Sequence, residues 1–327
     1  MINVGLDVGF RYLKVDTGKT PLVESSVLAP YIPGSFSAAF GGHSIVVDYN
    51  GKSFIVGDVD QRILIATTDH SRLETDEFMV LALTGLGLAL GKGGSVNVVT
   101  GLPHNWMIHA AKLREMLAGD HTIDINGKLH KILVSAAEIV PQAFGTIVDQ
   151  ALIINGDGIK VGNGELLSEK TLVVDFGGNT VNWAAMAGKS YDSNLSASED
   201  LGMTRVLDQL REVIRKEHGV DYTIARLDGY VREGAIAIHD ASVPVDGLIK
   251  PLVEKFLPAI LAKTRTLWAT GKFSKNLLLT GGGVRWFGPL FGEAYGHPNT
   301  IIVGDSQLSN ARGMRKYALW LDKTNNW

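Results

Sequence analysis

The stretch T-L-V-V-D-F-G-G-N-T-V-N-W-A, Thr171 to Ala184, decides how the rest of the chain is read. Leu172 to Val174 form an apolar run that fits a buried strand. The run ends in Asp175, then Gly177 and Gly178, and a second apolar-tending run, Val181 to Met186, follows at once. Two strands joined by a Gly-rich turn make a hairpin, with the Asp175 carboxylate where strand meets turn. Successive backbone N–H groups in such a turn form an anion-binding nest. Glycine lets a phosphate approach that backbone closely. Asp175 would repel a phosphate by itself, but it can hold a hydrated Mg²⁺, which takes few carboxylates plus water and phosphate oxygens. An ordinary hairpin turn uses the same residue types, so this stretch needs support from elsewhere.

Working outward, the support is repetition. Near the N-terminus stands I-N-V-G-L-D-V-G-F-R-Y-L-K-V, Ile2 to Val15. Again an apolar strand leads to an Asp (Asp7) and a Gly (Gly9), and a second strand carries Lys14. A third Gly-rich turn, L-L-L-T-G-G-G-V, spans Leu277 to Val284. Two D-x-G hairpins heading two halves, followed by a late strand and a GGG turn, are more specific than any one of them.

This constellation resembles the actin superfamily of actin, DnaK-type chaperones, sugar kinases and bacterial actin homologues. Asp7, Gly9 and Lys14 fit its first pattern, D-x-G-x-x-x-x-K. Asp175, Gly177, Gly178 and Thr180 are similar to its second phosphate motif, and Gly281, Gly282 and Gly283 to its adenosine motif. Val140 to Gly145 (V-P-Q-A-F-G) looks like the connecting-helix motif. Ser309 to Gly313 (S-N-A-R-G) is similar to a segment of the ParM/StbA plasmid-segregation actins and their archaeal relatives. The resemblance implies an α/β, actin-like (ribonuclease H-like) fold of two domains around a nucleotide cleft. The expected division is 1–164 with a returning helix in 305–327, and 165–304.

Composition agrees. A chain of 327 residues is long enough for two domains with their own cores. Its net charge of −3 and lack of a basic stripe argue against direct nucleic-acid or bulk membrane binding. With no cysteine there is no disulfide framework or thiolate site. No signal-peptide pattern opens the chain. The longest apolar-rich stretch, Phe78 to Leu90, is too short to span a bilayer. A cytoplasmic location is the expectation.

Taken in order, Leu22 to Val27 reads as a strand and Tyr31 to His43 as a loop. Ile45 to Val56 reads as a hairpin about Asn50-Gly51. Thr75 to Leu90 reads as a helix, apolar nearly all round and hence buried. Ser95 to Gly101 is a strand, Asn105 to Leu117 a helix, and His121 to Val134 a hairpin turning at Asn126-Gly127. Pro141 is expected at a helix start, where its missing N–H costs little. Asn155 to Gly164 is a Gly-rich crossover before the second domain. Met203 to His218 is a helix with Val206, Leu210, Val213 and Ile214 on one face. Ile224 to Gly234 is a short helix and Pro244 to Trp268 a long helical region, with Leu252, Phe256, Ile260 and Leu267 at core-like spacing. Asn276 to Thr280 and Ile301 to Val303 are strands. A final helix within Asp305 to Leu321 crosses back to the first domain.

The resemblance also implies roles. Asp7 and Asp175 organise Mg²⁺ through its waters, and Lys14 neutralises phosphate charge in the transition state.

 Gln142, at the expected helix start, orients the water that attacks the γ-phosphate by hydrogen bonding without taking its proton, as in small GTPases. Glu138 is its rival, because a carboxylate can also polarise water. Gly202 lets the backbone approach the nucleotide, Glu212 and Lys216 face its ribose and base, and Gly281 to Gly283 hold the adenosine. The chain departs from actin at Phe10, where actin has Ser, so the γ-phosphate contact falls to backbone N–H groups, with Arg11 either added to them or turned to solvent. Asn179 replaces a small or hydroxyl residue in the second turn. The implied function is an ATPase, using ATP or GTP with Mg²⁺, that polymerises with itself and serves DNA or plasmid segregation through a DNA-binding adaptor. Two other classes stay open. One is a small-molecule kinase, although Thr100-Gly101-Leu102-Pro103 stands where a D-x-G-G substrate loop would be. The other is a nucleotide-binding scaffold of the PilM or FtsA kind.

Overall fold

The structure, a computed structural model, describes residues 1–31, 44–57, 73, 75–156, 158–187 and 190–327. Most of the loop expected over Tyr31 to His43 lies outside the described residues.

The first half builds a mixed sheet of nine strands among the described residues. They are β1 (Ile2–Val8), β2 (Tyr12–Asp16), β3 (Leu22–Ser25), β4 (Leu28–Pro30), β5 (Ser44–Tyr49), β6 (Lys52–Gly57), β7 (Gly93–Leu102), β8 (Gly119–Ile125) and β9 (Lys128–Pro141). Their order is β3-β2-β1-β7-β9-β8-β5-β6-β4. The central strands β1, β7 and β9 run parallel, and antiparallel hairpins flank them. Two of these hairpins turn at Asn50-Gly51 and Asn126-Gly127, where all four residues have positive φ. Asn and Gly tolerate that conformation, which matches the twist of the flanking strands. Helix α1 (Asp76–Leu90) is buried from Glu77 to Gly87. Gly85 brings it so close to the sheet that an added Cβ would lie 2.8 Å from Leu13, which explains a helix apolar on nearly every side. The segment expected as one helix from Asn105 is a 3₁₀ turn, His104–His109, followed by α2 (Ala110–Leu117).

Between the halves come α3 (Phe144–Ala151), a hairpin of β10 (Leu152–Asn155) and β11 (Gly158–Val161), and the short α4 (Glu165–Ser168). Two expectations are corrected here. Pro141 ends a strand and does not start a helix: β9 stays paired with β7 through Leu102 and Pro141, and α3 begins at Phe144. The Gly-rich crossover is largely a hairpin.

The second sheet has six strands among the described residues: β12 (Lys170–Phe176), β13 (Val181–Ala187), β14 (Ser190–Tyr191), β15 (Ala197–Glu199), β18 (Asn276–Thr280) and β19 (Thr300–Ile302). The order is β14-β13-β12-β18-β19, with β15 paired to β13. Helices α5 (Met203–His218), α6 (Ile224–Glu233), α7 (Asp246–Trp268) and α8 (Val284–Tyr295) accompany it. A separate hairpin of β16 (Ala235–Ile238) and β17 (Ala241–Pro244) precedes α7, in a region the sequence reading left without strands. The buried stripe of α7 is Ile249, Val253, Leu257, Ile260, Leu261, Thr264 and Trp268. Leu252, Phe256 and Leu267 are only half-buried, so of the expected face Ile260 alone is fully in the core. On α5 Leu207 is buried and Val213 only partly.

The two sheets repeat one plan. In each, an antiparallel hairpin is followed by strands that add in parallel: β7 and β9 on β1, β18 and β19 on β12. The last helix, α9 (Ser306–Thr324), returns to the first sheet and crosses α3. A Cβ on Gly5 would overlap the Ala311 carbonyl, and one on Gly313 the Gly145 carbonyl. Only bare backbone permits that approach. No helix among the described residues is long and apolar enough to cross a membrane.

Candidate functional site

Both hairpins deliver a carboxylate to the same place. Asp7 is the penultimate residue of β1 and Asp175 the penultimate residue of β12. They pair across their hairpins with Lys14 and Asn182. Both aspartates are buried, 1% and 4% exposed, yet both line one cleft between the two halves. Parallel strands ending side by side beneath glycine turns create such a crevice at their carboxyl ends.

The two carboxylates are held differently. Lys14 Nζ donates to Asp7 Oδ2 at 2.8 Å, and Gln142 Nε2 donates to Asp7 Oδ1 at 2.7 Å. Asp175 receives an amide hydrogen bond instead, from Asn310 Nδ2 at 2.9 Å. Burial pushes the Asp175 carboxyl up to about 6. The Asn310 bond opposes that rise, the Asp7 charge adds to it, and Lys14 opposes it. A buried carboxylate so incompletely compensated favours a cation beside it.

The turns are braced from behind. Gly177 N–H donates to the Thr180 carbonyl at 2.9 Å, and Gly9 N–H to that of Tyr12 at 3.1 Å. The start of α5 donates back to the second turn, Met203 N–H to Gly177 O at 3.1 Å and Thr204 N–H to Gly178 O at 2.7 Å. Gly281, at φ +92°, sits so close to Asp175 that any side chain would meet its carboxylate. Gly283 N–H donates to the Phe176 carbonyl at 2.8 Å, and the Phe176 ring stacks on Phe287 of α8 at 5.4 Å. Gly282 alone of the three has open space where a Cβ would stand.

Gly9, Phe10, Arg11, Lys14, Gln142, Gly177, Gly178, Thr180 and Gly281 to Gly283 all line the cleft with the two aspartates. Five expected residues stand elsewhere. Glu138 is engaged by Arg114 at 2.8 Å and does not border the cleft. Asn179 points to Asp200 on the outside of the turn, 3.5 Å away. Gly202 serves the turn rather than the cleft: a Cβ there would lie 2.6 Å from Gly178 O. Glu212 and Lys216 are on the outer face of α5, because Val206, Leu207, Leu210 and Ile214 claim the inner one. Glu212 pairs with Arg215 at 2.7 Å in solvent.

Helix α6 reaches the cleft, with Asp228, Val231 and Arg232. The Tyr12 hydroxyl donates to the Asp228 carboxylate, which also accepts from Arg232 Nε at 3.2 Å. The Arg232 guanidinium lies 3.8 Å from the Tyr12 ring centre. Arg11 turns neither to solvent nor to the two aspartates. It lies over Gly178, with Nη2 at 3.4 Å from the Ile224 carbonyl and 3.7 Å from Asp228. Phe10 packs edge-on against Trp106, ring centres 5.6 Å apart. From α8 and α9 come Arg285, Trp286, Ser306 and Gln307. Sequence reading missed the α6 contribution, although the acid and base four apart in Asp228 and Arg232 were a visible helix-face signal.

The donor set fits a nucleotide with Mg²⁺. Arg11 Nε and Gln307 Nε2 are buried in the cleft wall with no hydrogen-bond partner among the described residues, which suits a ligand rich in acceptor oxygens. No cluster of three or more metal-ligating side chains occurs among the described residues. Two carboxylates in one cleft nevertheless match Mg²⁺, which is held by one or two carboxylates, waters and substrate phosphates.

Comparison with known proteins bears on the fold. Residues 5–145 match the family described as actin like proteins, N terminal domain. Residues 173–293 match the archaeal actin homologue MreB-like, C-terminal family. No curated protein matches the sequence. Among solved structures, the archaeal actin homolog Ta0583 superposes with a TM-score of 0.78 at 19% identity, covering 97% of this chain and 99% of that one. Bacillus thuringiensis ParM with AMPPNP gives 0.76 at 16%, covering 99% of each chain. A 15-stranded ParM filament from Clostridium botulinum gives 0.73 at 19%, covering 96% and 98%. Ta0583 has also been solved in complex with ADP.

Proposed function

We propose that this chain, an actin-like protein in its two-domain fold and in both family matches, is a nucleotide-dependent, filament-forming ATPase. The observation that carries the reading is the convergence of Asp7, Lys14, Gln142 and Asp175 with three glycine turns on one interdomain cleft. Lys14 and the turn N–H groups bind the phosphates. Asp7 and Asp175 would hold Mg²⁺ through its waters, and the ion would offset charge on the phosphate oxygens. Gln142 is tethered to Asp7 at 2.7 Å, and from there it orients the attacking water. An amide accepts no proton at neutral pH, so the water's proton leaves to phosphate or solvent. Asp228 and Arg232 face the ribose, while Met203, Val231 and Trp286 enclose the base, taking the roles expected of Glu212 and Lys216.

Self-assembly enters from the relatives, one of which is a ParM filament. We place the protein in the cytoplasm and in DNA segregation. A net charge of −3 means that a separate DNA-binding adaptor would carry the cargo. The test is light scattering of the purified protein with ATP–Mg²⁺ and then GTP–Mg²⁺, with phosphate release followed in the same sample. Scattering that rises, then decays as phosphate appears, supports the proposal. Phosphate release with flat scattering refutes assembly and favours a kinase lacking its acceptor. Silence in both channels refutes the ATPase and leaves the scaffold reading.

A further inference from the structure

The S-N-A-R-G segment on α9 is not absorbed by the function above, yet it reaches the cleft. Asn310 is 6% exposed and makes the hydrogen bond that holds Asp175. Its amide has two ends of nearly equal shape, and because a carboxylate only accepts, Nδ2 faces Asp175 and Oδ1 is left facing Thr146. Thr146 Oγ1 lies 2.8 Å from Asn310 Oδ1 and 3.1 Å from Thr280 Oγ1. A carbonyl oxygen only accepts, so the one hydroxyl proton of Thr146 goes to Asn310. Thr280 then supplies the proton of the longer contact. The bonds run one way, from Thr280 to Thr146 to Asn310 to Asp175, through side chains at most 6% exposed. Aligned bonds in a low-dielectric interior reinforce one another.

We propose that Asn310 is a positioning residue for Asp175, anchored at its Oδ1 by Thr146, so that α3 sets the place of the second aspartate as Gln142 sets that of the first. Gln142 and Thr146 are four residues apart in one short segment. The Asn310 backbone lies directly against α3, so close that a Cβ on Gly145 would be 2.6 Å from the Asn310 carbonyl oxygen. One turn on, Arg312 Nη2 and Lys316 Nζ each reach the Asp149 carboxylate at 2.8 Å and lock the same crossing. The inference rests on the reading of Asp175 as the residue that holds Mg²⁺ waters.

The test is titration of mant-ADP by fluorescence, with Mg²⁺ and with EDTA, on the full chain and on Asn310→Ala, Thr146→Val and Thr146→Ser. Folding is checked by far-UV circular dichroism. Partners of metal-holding groups usually matter about 10-fold in metal affinity. Asn310→Ala should therefore lose most of the gain in affinity that Mg²⁺ gives, with its EDTA affinity unchanged. Thr146→Val should lose part of that gain, and Thr146→Ser, which keeps the hydroxyl, should recover it. If Asn310→Ala fails to fold, the Thr146 pair decides. Equal loss with Mg²⁺ and with EDTA would mean mere packing and overturn the inference. A full Mg²⁺ gain in Asn310→Ala and Thr146→Val would overturn it while leaving the metal reading intact. A wild-type chain with no Mg²⁺ gain would overturn both.

Discussion

Asp175→Asn should make the nucleotide-free protein more stable at neutral pH while destroying the Mg²⁺-dependent function proposed for it. The Asp175 carboxyl is held at about 6 instead of 3.8, chiefly by burial. Ionising it in the folded protein then costs about 3 kcal/mol relative to the unfolded chain. The folded state binds this proton more tightly than the unfolded state does. Stability is therefore greatest below the unfolded value and declines as pH rises through the window from 3.8 to about 6. Above that window the cost is complete. Asparagine keeps the shape and can still accept from Asn310 Nδ2, but it carries no charge. Urea unfolding in EDTA at pH 8 should show Asp175→Asn more stable by up to about 3 kcal/mol, with the gap closing near pH 4. Mg²⁺ and nucleotide should reverse the order, because ligand binding adds stability only to the protein that binds. A variant less stable than wild type at pH 8 would refute the argument, as would a gap of the same size at both pH values.

Three further outcomes follow from the geometry. Tyr12→Phe removes the hydroxyl that bridges to Asp228 across the cleft, a group pushed up to about 12 by burial and by Asp228 and so still a donor at neutral pH. Losing about 1 kcal/mol there should speed mant-ADP release several-fold in stopped flow, and an unchanged rate would show that the contact does not restrain opening. Asp149→Ala takes the carboxylate from Lys316 and leaves Arg312 with Asp305 alone, and should destabilise by less than the roughly 3–5 kcal/mol of a fully buried broken pair, read as a lowered urea midpoint. Burial would raise the Asp149 carboxyl, but Arg312 and Lys316 hold it below the usual value. Its contribution is thus present at neutral pH and is lost only as pH falls through that lowered value. Gly281→Ala should unfold at lower temperature, since the new Cβ meets Asp175 at a left-handed φ of +92°, whereas Gly282→Ala should melt like wild type and weaken nucleotide binding; equal melting temperatures for the two would contradict the packing.

What could be read from the sequence was what local chemistry sets. The strand Asn276–Thr280 and the helix Met203–His218 have the bounds their patterns predict. Gly219 caps that helix in the left-handed conformation, and both Asn-Gly turns lie where they should. A D-x-G hairpin carries its own instructions, because the residues that shape the turn also place the carboxylate. The correspondence of Asp7 with Asp175 therefore needed no tertiary knowledge.

Other features depend on what packs where. Glu212 and Asp228 are both acidic residues on neighbouring helices, and only the docking of α5 through Val206, Leu207, Leu210 and Ile214 sends one outward and lets the other meet Tyr12. The buried stripe of α7 shifted off Leu252 and Phe256 for the same reason: a mostly apolar helix has several plausible inner faces, and its neighbours choose one. Pro141 looked like a helix start because its ring suits that position, but pairing with β7 keeps the chain extended.

By itself the sequence determined the two D-x-G turns, the order of motifs and the elements between them, since each depends on residues a few positions apart. Only the tertiary structure decided that Asn310 meets Asp175, 135 positions away, that Gln142 meets Asp7 at the same separation, and that α6 closes the cleft. Those contacts arise where two sheets and two crossing helices come together, and no local pattern encodes a meeting that the whole chain must fold to make.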